Sequence, residues 1–201
     1  MTTKQYQEQI ASYLRRKIGG LISQHLRDEP NMNDKHDYER NVVQVEKHMK
    51  IESNLYSPRC DIAVGPFAFT CQYQEKYNTL LHNPEIKSFL GTLLQGSENT
   101  GSREVEDFIP NCGEQNRNPR AFMVIEVEGS SCRNGKLILG SMVNASIMGQ
   151  VGIIVPYLEN TTQRVQAYIK EMGDRQKTPR IFKNLIVIKK EKLDRIISNP
   201  H

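Results

Sequence analysis

The chain has 201 residues, of which 37% are hydrophobic and 25% charged, with a net charge of +4 and no Trp. That length suits one domain (1–201) able to bury a core without staples, and no apolar run approaches the roughly 20 residues of a membrane helix. The opening MTTKQYQEQIASYLRRK lacks the apolar core of a secretory signal, so a cytoplasmic protein is expected. Cys60, Cys71, Cys112 and Cys132 contain no C-x-x-C pair, which argues against a zinc site or a disulfide scaffold. The pI of about 8.8 permits nucleic acid as a partner. Basic residues gather at Arg15-Arg16-Lys17, at Arg175, Lys177, Arg180 and Lys183, and at Lys189, Lys190 and Lys192; such runs are most often solvated faces.

Taken in chain order, residues 4–28 read as an amphipathic helix carrying Tyr6, Ile10, Leu14, Ile18, Leu21 and Leu26, with Gly19-Gly20 as a break point. A polar loop covers 29–37, and a second helix is expected over 38–52 on Val42, Val43, Val45 and Met49. Residues 59–65 read as a strand, with 67–73 (FAFTCQY) as its hairpin partner. Residues 75–94 read as helix interrupted at Pro84, and 95–120 as one long loop by composition, of the kind that carries function. From 121 the expected order is strand 121–128, helix 136–149, strand 151–155, helix 159–172, strand 184–188 and a basic helical tail. The β-α-β-α-β order predicts an α/β (α+β) protein with a mixed central β-sheet flanked by helices.

The chemistry concentrates in FMVIEVEGSS, residues 122–131. Neighbours at i and i+2 of a strand share a face, so Glu126 and Glu128 project together at the end of a strand whose FMVI run suggests burial on both faces. Adjacent carboxylates repel, and a divalent cation with a taste for oxygen, Mg²⁺ or Mn²⁺, relieves that repulsion. Asp61 opens another apolar run, DIAVG, and supplies a third acid. Lys136, beyond a polar turn, is placed to approach a phosphate or an attacking water. Phosphodiester cleavage needs these parts: a cation to neutralise the phosphate and activate water, and a base or positive group beside it. The plainer readings are an exposed acidic strand face, a turn cap for Asp61 and a solvated Lys136. Asn144 is expected to make a structural hydrogen bond, Ser130 and Ser131 to form a turn, and His48 and His82 to lie at the surface.

Arg59-Cys60-Asp61-Ile62-Ala63-Val64-Gly65-Pro66-Phe67 followed by Ile125-Glu126-Val127-Glu128 resembles the PD-(D/E)xK nuclease superfamily, which includes restriction endonucleases. The run Lys136–Ser146, ending in Gly149-Gln150-Val151-Gly152-Ile153, is similar to the helix and strand that follow the acid pair there. The resemblance covers about 38–156, with an insertion at about 74–120 and a C-terminal α/β extension at 157–201. It implies a restriction-endonuclease-like core and a Mg²⁺- (or Mn²⁺-) dependent DNA endonuclease, of restriction or bacterial-defence type, working as a homodimer. Asp61, Glu126 and Glu128 would hold the metal. Lys136 and an acid of the preceding helix, Glu46 first and Glu39 second, would assist. Two departures stand out: the long segment 62–125 between Asp61 and Glu126, and Glu128 where the family usually has Lys. Arg103, Arg117 and Arg120, with Asn116 and Asn118, are the expected DNA-reading residues of the 95–120 loop, and Arg59, two before Asp61, is read equally as a DNA contact or as a salt bridge to that acid. The competing class is a nuclease-like DNA-binding or assembly subunit without catalysis.

Overall fold

A computed structural model describes residues 1–27, 42–49, 58–67, 74–99, 103–115, 119–129, 134–173 and 182–199. The chain starts with α1 (Thr3–Leu14), opened by a capping box between Thr2 and Gln5. One wider turn, Arg15–Gly19, leads without interruption into α2 (Gly20–Arg27). Gly19-Gly20 therefore does not end the helix: both residues keep right-handed helical backbone, and Ile18 and Ile22 hold this stretch in the core.

The segment expected to be a second helix holds a strand, β1 (Val43–His48); residues 38–41 and 50–52 lie outside the described part. β-Branched Val43 and Val45 fall two apart and pack into the same core cluster, the period of a strand. β2 (Arg59–Phe67) follows; of the hairpin partner expected at 67–73, Phe67 is the last residue of β2 and 68–73 lie outside the described residues. α3 (Gln74–His82) and α4 (Pro84–Gly96) are split as Pro84 predicts: Asn83 caps α4 and Pro84 occupies its first turn. The expected loop 95–120 contains α5 (Val105–Gln115). Its signal is Phe108, Ile109 and Cys112, buried at helical spacing with Val105 packed against them, in a segment whose Gly, Asn and Pro content suggests loop.

The second half follows expectation: β3 (Ala121–Glu128), α6 (Gly135–Met148), β4 (Gly149–Pro156), α7 (Glu159–Gly173), β5 (Leu185–Val187) and α8 (Lys190–Ser198). The sheet order is β1-β2-β3-β4-β5, antiparallel across β1, β2 and β3 and parallel across β3, β4 and β5. The protein is thus a mixed α/β fold. Residues of α1 to α5 and α8 share one apolar cluster with the sheet, and α6 and α7 share the other. β3 and β4 are buried along their full lengths, as strands covered on both sides must be.

Two local devices hold the parallel half together. α6 crosses so close to β4 that a Cβ on Gly152 would lie 2.9 Å from the Ala145 carbonyl oxygen. Asn184 is fully buried: its Nδ2 donates to the carbonyls of Ser146, Gly149 and Gln150 at 2.9, 3.2 and 3.3 Å, and its Oδ1 accepts from Ser146 Oγ at 2.8 Å. The structural asparagine of this region is therefore Asn184, while Asn144 stays half-buried on α6. The edge strand β5 is covered by the chain after α4. Asn99 Nδ2 donates to the Leu185 carbonyl at 2.8 Å, and its Oδ1 accepts from the Val187 N–H at 2.9 Å.

Candidate metal centre

β2 and β3 separate at one end of the sheet, and the acids lie at the separation. Their ladder runs from Phe67↔Ala121, across an irregularity, through Val64↔Met123 to Ile62↔Ile125 and ends there. Before that point β2 pairs with β1, through Lys47↔Cys60 and His48↔Arg59. Beyond it β3 pairs with β4, through Glu126↔Ile154 and Glu128↔Pro156. The sheet therefore forks, leaving backbone donors without a ladder partner. Side chains take them instead: Val127 N–H donates to Asp61 Oδ2 at 2.8 Å, and the Asp61 N–H donates to the Glu126 carboxylate. This reciprocal brace holds Asp61 and Glu126 face to face across the fork.

The fork also lies at the C-terminal ends of the parallel strands, where open α/β sheets bind ligands. Level with Glu128 stand Tyr157, just past β4, and the start of α8. Here Lys190 Nζ lies 4.4 Å from the Tyr6 ring centre and 5.7 Å from that of Tyr157, and pairs with Asp194. The Tyr157 hydroxyl is buried without a hydrogen-bond partner among the described residues.

Electrostatics at the fork is one-sided. Glu126 is only 5% exposed, and burial pushes its carboxyl well above the usual carboxylate range; the charges of Asp61 and Glu128 push the same way, against the Asp61 N–H and the Cys60 thiol. Half-buried Asp61 is also raised, first by burial and then by Glu128 and Glu46, against the lowering effect of Val127 N–H and the Gln7 side-chain amide. Burial, with the charges of Glu126 and Asp61, likewise raises the Cys60 thiol. The charged groups acting most strongly on this pair are other carboxylates, not cations. One oxygen, Glu126 Oε1, is buried with no hydrogen-bond partner among the described residues.

The other expected site residues are dispersed. Glu46 is on strand β1, not on a helix; it falls opposite Asp61 in the β1–β2 register, with a left-handed φ of 52°, and its carboxylate pairs with Arg59 at 3.7 Å. Lys136 is exposed in the first turn of α6, its N–H capped by Asn134 Oδ1. Arg120 precedes β3 at the end of the strand away from Glu126, about 20 Å along it at a strand's rise per residue. Arg103 is exposed and acts on Glu98. Glu39, Asn116, Arg117, Asn118, Ser130 and Ser131 lie outside the described residues, as do Arg175, Lys177 and Arg180. The late basic cluster is already paired, Lys189 with Glu159 at 2.7 Å, Lys192 with Glu98 at 2.8 Å and Lys190 with Asp194. Arg15 bonds the Val43 carbonyl and packs α1 to β1.

The residues at the fork suit a hard divalent cation. Two braced carboxylates, one of them with an orphaned oxygen, and a third acid acting on both form an oxygen-only donor set on which the strongest charges are other carboxylates. Among the described residues, however, no three His, Cys, Asp or Glu side chains converge to enclose an ion by themselves; Mg²⁺ routinely completes such a partial set with water and substrate oxygens. No protein-family model, curated protein or solved structure matches this chain.

Proposed function

We propose that the fork is the metal site of a Mg²⁺- or Mn²⁺-dependent nuclease that hydrolyses a DNA phosphodiester. The observation that carries this reading is Glu126: buried, braced against half-buried Asp61, and with an oxygen that no group among the described residues satisfies. Holding a buried carboxylate beside a second one is costly unless an opposite charge joins them.

Asp61 and Glu126 would ligate the ion, and Glu128 would ligate it or hold the attacking water. The ion, when bound, neutralises the scissile phosphate and lowers the pKa of that water. The chain's own contribution is orientation: the exchanged backbone N–H groups fix both carboxylates before substrate arrives. Lys136 is assigned a phosphate contact, and Arg59, at the acid end of β2, a backbone contact once it leaves Glu46. A homodimer would bring two such sites to the two strands of a duplex.

The test is incubation of the full chain with plasmid and genomic DNA, with and without Mg²⁺. The expected result is ion-dependent cleavage, lost in Glu126→Gln by more than the 10–100-fold that an outer-shell metal partner is worth. The second reading, a nuclease-like DNA-binding or assembly subunit, is favoured by the missing Lys at Glu128 and by the lack of a three-ligand enclosure. DNA retained on the protein but intact under every condition would select it.

A further inference from the structure

α1 lies across the fork. Its first turn meets the end of β3, where a Cβ on Gly129 would come within 2.9 Å of Thr3 Oγ1. Tyr6 packs edge-on against Tyr157 with ring centres 5.5 Å apart. Thr3, Tyr6, Gln7 and Ile10 follow one another at helical spacing on the side that meets the sheet. Along that face the buried residues are Tyr6, Ile10, Ala11, Tyr13 and Leu14, with a single amide among them, Gln7, only 5% exposed.

An amide in such a position is costly unless both of its ends are met. The nitrogen end of Gln7 serves as a donor to the Asp61 carboxylate. The other end does not: Gln7 Oε1 is buried and has no hydrogen-bond partner among the described residues. Because the two atoms share one amide carbon, the orphaned oxygen sits beside Asp61. It joins Glu126 Oε1 as a second unmet oxygen at the same fork. A neutral amide oxygen is a ligand that Mg²⁺ and Mn²⁺ accept, directly or through a bound water.

We propose that Gln7 belongs to the metal site, fixing Asp61 through its amide nitrogen and giving its Oε1 to the coordination sphere of the ion held by Asp61 and Glu126. This rests on the metal-site reading of the fork. It adds a contribution from the N-terminal helix that neither acid supplies: a neutral oxygen that completes the shell without further repulsion.

The experiment is Mn²⁺ titration of the full chain without nucleic acid, read by the loss of the free-ion electron paramagnetic resonance signal. The proteins are wild type, Gln7→Leu, Gln7→Met and Gln7→Glu. Gln7→Leu is expected to weaken Mn²⁺ binding about 10–100-fold, the cost usual for a partner of a metal ligand, and Gln7→Glu, which keeps the oxygen, to restore it. A merely structural Gln7 predicts the opposite, because Leu fills its place with no unmet oxygen; wild-type affinity in Gln7→Leu would overturn the proposal and leave the acid site standing. Should Gln7→Leu not fold, Gln7→Met decides on the same criterion. Wild-type protein that binds no Mn²⁺ ends the metal reading of the fork, and Gln7 with it.

Discussion

Glu126 is the residue on which pH acts most directly. Its folded-state carboxyl is raised by burial and by Asp61, while in the unfolded chain it titrates near 4.3. Above that pH the unfolded state has released a proton that the native state still holds, so stability falls as pH rises towards the folded value. Asp61 is raised as well and acts in the same direction. Metal-free protein, melted in EDTA between pH 5 and 8, should therefore lose stability with rising pH more steeply than Glu126→Gln. At pH 8 the variant should melt roughly 2–4 °C higher, the equivalent of about 1 kcal/mol in a chain of this size. Equal slopes for the two proteins would show that the buried carboxyl is not held protonated.

At the scale of elements, the join between α6, β4 and β5 rests on one polar side chain. Asn184 satisfies three carbonyls that the turn from α6 into β4 leaves open, and Ser146 closes the set. Asn184→Ala removes four hydrogen bonds and strands buried acceptors, at about 1–3 kcal/mol for an unmet group and more for the set. A loss of about 3 kcal/mol, seen as a lower urea midpoint at unchanged slope, is expected. A midpoint within 0.5 kcal/mol of wild type, the usual range of an inert surface substitution, would mean that water replaces the side chain. The elements also show where sequence patterns mislead. Val42, Val43 and Val45 satisfy a loose helical spacing, but their β-branching and the sheet edge beside them decide for a strand. Glu106 and Asp107 in the first turn of α5 and its apolar stripe outweigh a composition that reads as loop.

For the whole molecule, an ion bound at the fork as proposed would link the two halves of the sheet, since Asp61 belongs to the antiparallel part and Glu126 to the strand that begins the parallel part. A ligand that binds only the native state stabilises it by mass action. Mn²⁺ at 100 times its dissociation constant should raise the melting temperature by about 5–10 °C, and Asp61→Ala should abolish the rise. A wild-type melting curve unmoved by Mn²⁺ or Mg²⁺ would remove the ion from the proposal.

The amino-acid order by itself determined the mixed α/β class, the β-α-β-α-β second half and the split helices around Pro84, because each is a local matter of apolar period and of the residues that start and stop elements. Asp61, Glu126 and Glu128 were legible as acids bordering apolar strands. Their arrangement was not: the fork between β2 and β3, the exchange of backbone donors between Asp61 and Glu126, and the presence of Gln7 beside them depend on pairing between segments far apart in the chain. Only the tertiary structure decides such contacts, since strand register and the helix laid across it are set by how the two apolar clusters close, not by any residue's neighbours in sequence.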